Sequence, residues 1–272
     1  MRQLQPSLLR AVSLDAMNTL IRLVRPPGEV YAACAQQQGV HVNSEMANAQ
    51  FERNFKRFDR LWPCYRPVPG SDDRLAQILP PELHFVEETL ASRRWWHCVA
   101  AATLRDSCLE QATSAVVATI SRQLYDEFRN PKLWTTMPGA EQSLSALRVG
   151  NIRRIGILSN FDERLHELLA HFQFAGGQVD CVLLSAEIGV AKPQRAAFER
   201  AMHALHVDEP CQLVHVGDSL DEDCHAAMAV GCQTVHLRDP SMPKDRTEYE
   251  HAAHIPIIHS IADLPSLLAA DL

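Results

Sequence analysis

Long apolar runs are what this 272-residue chain most plainly lacks. None approaches the roughly 18 to 20 residues a helix needs to cross a bilayer, so no transmembrane helix is expected. Positive charge is also in short supply: 26 Lys and Arg against 33 Asp and Glu leave a net charge of -7. With a pI near 6.0, the chain has no basic footprint for nucleic acid or an anionic membrane, and neither partner is expected. The eight cysteines (Cys34, Cys64, Cys98, Cys108, Cys181, Cys211, Cys224 and Cys232) include no C-x-x-C pair, and no secretory signal precedes them. Reduced thiols in an intracellular protein are therefore expected, in the cytoplasm, with the nucleus left open. The thirteen histidines form no H-E-x-x-H and no Cys/His zinc spacing, so each is expected on the surface or satisfied in the core. There is no internal repeat and no low-complexity tract. The opening MRQLQPSLLRAV has two Arg and no acid, a faint likeness to a transit peptide. It runs into the first apolar segment within about a dozen residues, so it is expected to be the chain's own beginning.

What the chain does have is enough apolar material, 46%, for one large core or a core domain with a smaller partner. Short apolar runs suited to buried strands recur at 8–15, 152–159, 180–185, 212–218, 232–237 and 255–260. Helical patterns lie between the later ones: Leu165, Leu168, Leu169 and Phe172 share one face, as do Phe198, Met202 and Leu205. Alternating strands and helices imply right-handed βαβ units, a mostly parallel sheet and an α/β core, with the site at the strands' carboxyl ends. From residue 25 to 134 the alternation stops. Phe51, Phe55 and Phe58 form one helical stripe; Val116 or Val117, Ile120, Leu124 and Phe128 form another. The expected organisation is a core of residues 1–24 and 135–272 with an inserted helical domain at 25–134. Within the insertion, the breaker-rich 61–82 reads as an irregular connection.

Four polar features fall at ends of core strands. Asp15 and Thr19 follow the first strand, and Ser159 and Asn160 end the next. Lys192 precedes a helix in GVAKPQRAAFERA, and HVGDSLDEDCHAA carries Asp218, Asp221, Glu222 and Asp223. Singly, each has a bland explanation: an N-cap, a solvated lysine, a polar loop. Together they suit phosphoryl chemistry. A carboxylate attacking a phosphate dianion meets repulsion of about 4 kcal/mol per unit pair at about 4 Å and an effective dielectric of about 20. Asp15 and Asp218 could share a Mg²⁺, a hard cation that takes carboxylate and carbonyl oxygens, while Lys192 neutralises the same charge. Ser159 and Thr19 are expected to hydrogen-bond the phosphoryl oxygens, completing nucleophile, metal and anion clamp.

At this point the chain resembles the haloacid dehalogenase (HAD) superfamily of aspartate-nucleophile hydrolases. DAMNT resembles its first motif, D-x-D-x-T. The strand ending IGILSN resembles the second, AKPQRAAF the third and GDSLDED the fourth. The resemblance implies a Rossmann-like three-layer core with a helical C1-type cap where the insertion falls. SNFDERL, RRWW at 93–96 and the D-x-x-N-T-L form of the first motif narrow it to one subgroup. Position by position, it implies Asp15 as nucleophile and metal ligand and Asp218 as metal ligand. Asp223 would be a ligand or orient one. Ser159, Lys192 and Asn160 would bind substrate, with Thr19 supporting the turn. Asp221 and Glu222 match no motif position and are expected to be solvated. Gln194-Arg195 stands where Asp-Pro is common, a departure expected to be tolerated.

One departure matters more. Two residues after the nucleophile, most family phosphatases carry a second Asp that protonates the leaving oxygen and then activates water. Here that residue is Met17, whose thioether moves no proton, although its backbone carbonyl could still serve as a metal ligand. General acid–base catalysis is worth about 10² to 10⁴-fold, so metal binding should survive while turnover suffers. Asn18 cannot substitute, because an amide does not titrate. Three readings stay open: a reaction whose leaving group needs no acid; phosphatase action rescued by an activated substrate or by Asp59, Asp72, Asp73 or His97; or loss of catalysis with retained binding of a phospho-ligand or protein partner. The expectation is a Mg²⁺-dependent phosphohydrolase, slowed by Met17, acting on a small phosphorylated molecule. Trp95-Trp96 is expected to pack a helix rather than line a pocket. Lys56 and Lys132 have no context for a Schiff base.

Overall fold

The computed structural model describes residues 4–107, 112–150, 152–174, 176–240 and 254–269. Two compact units divide the chain: Met1–Arg22 with Thr135–Leu272, and Leu23–Trp134.

Among its described residues the second unit is mainly helical, built from α1 (Pro27–Gln37), α2 (Ser44–Leu61), α3 (Ser71–Ala76), α4 (Ala91–Ser107) and α5 (Ser114–Arg129). Side chains cap two of them: Asn43 accepts from the Met46 N–H at 2.8 Å, and Thr113 from that of Val116 at 3.4 Å. Each such cap satisfies a donor the helix leaves unpaired. The core is aromatic. Trp95 packs edge-on to Phe55 at 5.3 Å, Tyr65 at 5.0 Å and Trp96 at 4.8 Å, and donates its indole N–H to the Phe58 carbonyl at 3.2 Å. Trp96 stacks on Phe51 at 6.4 Å. The Trp pair is thus a packing element, as its helical spacing implied. Residues 61–82 are more ordered than their breakers suggested. Left-handed Gly70 (φ +75°) opens α3, whose first turn carries Asp72 and Asp73, acids that suit the positive end of a helix. His97 is buried between Phe85 and Tyr125, 3.3 Å from Glu88, and Asp72 lies 3.5 Å from Arg94.

The first unit holds a six-stranded sheet. Its strands are β1 (Ala11–Leu14), β4 (Arg154–Ser159), β5 (Cys181–Leu184), β6 (Leu213–Gly217), β7 (Gln233–Leu237) and β8 (Ile257–Ile258). The order is β5-β4-β1-β6-β7-β8 and every pairing is parallel. Helices α6 (Ala140–Val149), α7 (Arg164–His171), α8 (Ser185–Ile188), α9 (Arg195–Ala204), α10 (Ala226–Val230) and α11 (Leu264–Ala269) accompany it. A parallel sheet is covered on both faces, which is why the expected strands read as unbroken apolar runs. Val12, Ile157 and Val214 are fully buried. On α9, Ala197, Phe198 and Ala201 pack with Ala11, Leu158 and Leu213 of the strands; burying a Phe side chain contributes about 1.5 to 3 kcal/mol. The sheet is the α/β, Rossmann-like arrangement that the sequence implied. The strands are shorter than the apolar runs: Pro6–Leu8 forms a 3-10 turn ahead of β1, and only Ile257 and Ile258 of the last run pair. Two short strands, β2 (Ile21–Leu23) and β3 (Trp134–Thr136), were not signalled by periodicity and pair with each other.

Among the described residues no helix is long and apolar enough to cross a membrane. Seven cysteines are free thiols; Cys108 lies outside the described residues. Burial pushes Cys98, Cys224 and Cys232 up to about 12, so these three are inert packing thiols.

Candidate active site

Pairing of β1 with β4 on one side and β6 on the other fixes where the motif residues meet. Leu14 sits level with Ile157 and with Val216, so the three strands end side by side. Asp15 follows immediately, its N–H donating to the Val216 carbonyl at 2.8 Å. The chain then turns: the Ala16 carbonyl accepts from Thr19, Leu20 and Ile21 N–H groups at 3.4, 2.9 and 3.0 Å. The bridge between Met17 and Ile21 uses the Ala16 and Ile21 carbonyls and passes over that of Met17. Asn18 takes the left-handed conformation (φ +56°), which Asn tolerates better than most residues. Its amide donates to Asp218 Oδ2 at 3.0 Å, a role its sequence context did not announce.

Lys192 ties the site together. Its ammonium donates to Asp15 Oδ1 at 2.7 Å and to Asp223 Oδ1 at 2.5 Å, with the side chain almost fully buried. Its backbone is clamped by Asn160, whose Oδ1 accepts from the Lys192 N–H and whose amide donates to the Lys192 carbonyl, both at 2.8 Å. The same amide reaches Glu222 Oε2 at 3.1 Å. Glu222 is therefore more than a solvated loop charge, whereas Asp221 remains exposed and pairs with His225 at 3.1 Å. Ser159 ends β4, buried, and Thr19 is buried with its hydroxyl lacking a hydrogen-bond partner among the described residues.

Electrostatics separate the three acids. Burial, only partly offset by the Lys192 charge, holds Asp15 above the ordinary carboxylate range, and the Asp223 charge adds to the rise. Burial and the Asp15 charge push Asp218 up to about 7 against the opposing hydrogen bond from Asn18. Asp223 is also buried, but the Lys192 charge and the hydrogen bond from His215 hold it well below the usual range. Lys192, despite burial, is held above its ordinary value by the charges of Asp15 and Asp223. The lysine and Asp223 thus form a settled ion pair. Asp15 and Asp218 are two carboxylates short of positive charge.

Three residues that support this arrangement were not singled out from the sequence. His215, on β6, accepts or donates at Nδ1 with the Ser13 hydroxyl (2.7 Å) and meets Asp223 Oδ1 through Nε2 at 3.0 Å. Ser13 and His215 are register partners on adjacent strands. A ring donating from Nε2 to the carboxylate can, when neutral, accept the serine proton at Nδ1. A buried chain therefore runs Ser13, His215, Asp223, Lys192, Asp15. The only local sign was a polar residue inside each of two apolar strands. Gly217 is the third: a Cβ there would lie 2.1 Å from Asp223 Oδ2. Only glycine lets the π-helical turn Leu220–His225 fold Asp223 back, where the Ser219 N–H donates to Oδ2 at 3.0 Å.

The donor set fits a small hard cation. Among the described residues no group of three or more His, Cys, Asp or Glu side chains could hold a metal ion. Mg²⁺ does not require one, since it keeps several waters and takes one or two carboxylates. Burial and the Asp15 charge raise the cost of ionising Asp218, the condition a cation beside it would relieve. Both oxygens of Asp223 already accept from Lys192, His215 and Ser219, which suits it to orienting Lys192.

A family model for haloacid dehalogenase-like hydrolases matches residues 9–231. The chain belongs to that family. The haloacid dehalogenase-like hydrolase domain-containing protein 3 of Xenopus laevis is 32% identical over 237 residues, covering 87% of each chain. This is the subgroup to which SNFDERL, RRWW and D-x-x-N-T-L had narrowed the resemblance. Among solved HAD structures, the magnesium-bound HAD-hydrolase YfnB from Bacillus subtilis aligns with a TM-score of 0.66 at 15% identity, covering 96% of this chain and 99% of its own. The defluorinating L-2-haloacid dehalogenase Rha0230 aligns at 0.63 and 17%, covering 96% and 95%. At such identities the structures share the fold alone.

Proposed function

We propose that this HAD-like hydrolase is a slow phosphohydrolase acting on a small phosphorylated molecule through Asp15, with Mg²⁺ as cofactor. The observation that carries the reading is the contact of Lys192 with Asp15 and Asp223 at the ends of β1 and β6. Asp15 Oδ1 is held by the lysine, so the nucleophile is oriented before substrate arrives, and orientation of this kind lowers the barrier by converting encounter into a unimolecular step. The Asp15 oxygen bonds to phosphorus as the phosphorus–oxygen bond to the leaving group breaks. Lys192, fixed by Asn160, offers positive charge to the transferring group. Ser159 and the Thr19 hydroxyl, which has no hydrogen-bond partner among the described residues, donate to its oxygens. Asp15, Asp218 and the Met17 carbonyl would hold Mg²⁺, which would supply positive charge against the incoming dianion.

Release is the weak point. The leaving oxygen needs a proton, and water must lose one to cleave the aspartyl-phosphate; Met17 supplies neither. Met17 also favours a second reading, in which the chain binds a phospho-ligand or protein partner without turnover. Asp218 weighs against a carbon–halogen hydrolase, which needs no metal. Assay with an aryl phosphate and Mg²⁺ separates these readings. Activity abolished by Asp15→Asn supports the nucleophile, and activity surviving that change removes it. An inert parent that binds beryllium fluoride only with Mg²⁺ supports the binding reading.

A further inference from the structure

The helical unit carries a feature that the chain's net negative charge conceals. Arg53, Lys56, Arg57 and Arg60 recur on α2 at spacings of three and four, so they share one face, and Arg74 of α3 joins them around a concave site of about 550 Å³. All five are exposed, and none of them forms a salt bridge among the described residues. Like charges at such spacings destabilise a helix, and only two acids stand among the four cations of α2: Glu52, four residues before Lys56, and Asp59, whose carboxyl feels the Arg60 charge. Leu61, Ile78 and Gln77 complete the lining.

We propose that this site binds a small, multiply phosphorylated molecule. Four of the five cations are arginines, whose planar fork matches phosphate oxygens bidentately. The volume is that of a small-molecule pocket rather than a track for a polymer. Leu61 and Ile78 offer a surface for the ligand's carbon body. Among the described residues no aromatic side chain lines the site, so they offer no stacking platform of the kind single-stranded nucleic acid uses. None of these residues belongs to the Asp15 constellation, so the site stands or falls independently of the proposed hydrolysis.

Calorimetric titration of the full chain with inorganic tripolyphosphate, in EDTA at fixed ionic strength, tests it. One saturable site is expected, tighter for tripolyphosphate than for inorganic phosphate. Arg57→Glu with Arg60→Glu should weaken it by about tenfold or more, and the milder Arg57→Gln with Arg60→Gln by less. Asp15→Asn, and Arg200→Glu at an exposed position of α9, should leave it unchanged. Absence of binding overturns the proposal, as does affinity indifferent to the α2 reversals or lost with Asp15→Asn. A single-stranded RNA or a polyaspartate peptide that binds through α2 more tightly than tripolyphosphate also overturns it, in favour of a macromolecular partner.

Discussion

The two units bury different things. In the helical unit the largest fully buried side chains are Trp62, Trp95, Tyr31 and Phe58, and cations crowd the outside of α2. In the α/β unit the sheet's end encloses Asp15, Lys192, Asp223, His215 and Ser13, all nearly inaccessible. Burial of aromatics stabilises by area and needs little beyond a partner for each indole N–H. Burial of charge costs several kcal/mol per ion before pairing, so a fold that keeps such a cluster does so for a reason other than stability. In this chain the packing unit and the chemical unit can therefore be told apart by what each conceals.

The sharpest way to break the contrast is to restore a proton carrier to the chemical unit. Met17→Asp should raise aryl-phosphate turnover by about 10² to 10⁴-fold, read as kcat in Mg²⁺; no gain would mean that the acid is not what limits the site. Next come two truncations of similar cost and different consequence. Trp95→Ala should lower stability by about 3 to 5 kcal/mol through the cavity it leaves. Lys192→Met should cost a similar amount, about 3 to 5 kcal/mol, because Asp15 and Asp223 are left as buried carboxylates without a counter-charge. Urea titrations at pH 7 and pH 4 distinguish them: acid should rescue Lys192→Met in part, by protonating the stranded carboxylates, and leave the Trp95→Ala deficit unchanged.

A smaller effect concerns Asp218. Its folded value near 7, against 3.8 ordinarily, means that the metal-free folded state holds a proton the unfolded chain has released. Stability should then fall as pH rises from about 4 to 7. In EDTA, Asp218→Asn should be more stable than the parent at pH 8, by on the order of 3 kcal/mol, and equal to it near pH 4. A parent whose stability is flat over that window would contradict the crowding of Asp15 and Asp218. The smallest change is Asn18→Gly, which keeps the left-handed turn accessible, removes one hydrogen bond to Asp218 and should cost about 1 kcal/mol or less by thermal unfolding.

Much of this was legible in advance, for identifiable reasons. Parallel strands covered on both faces must be apolar throughout, so a polar residue at a strand end, Asp15 or Ser159, stands out. His215 and Ser13 did not, because their meaning depends on register across two strands, which one sequence does not display. Gly217 was hidden similarly: its need for no Cβ arises only when Asp223 folds back over it. Glu222 had no motif position and yet meets Asn160, since a π-helical turn shifts which side chains face the strand ends. The cations of α2 escaped because a charge sum over the chain averages one helix face into an acidic whole.

The account rests on Asp15 as the group that takes the phosphoryl. The most direct measurement is mass spectrometry of protein acid-quenched after exposure to an aryl phosphate and Mg²⁺. With release slowed by Met17 as proposed, the peptide containing Asp15 should carry the mass of one phosphoryl group, and the Asp15→Asn protein should carry none. Turnover of the substrate with no label at Asp15, or the same label in Asp15→Asn, would contradict it.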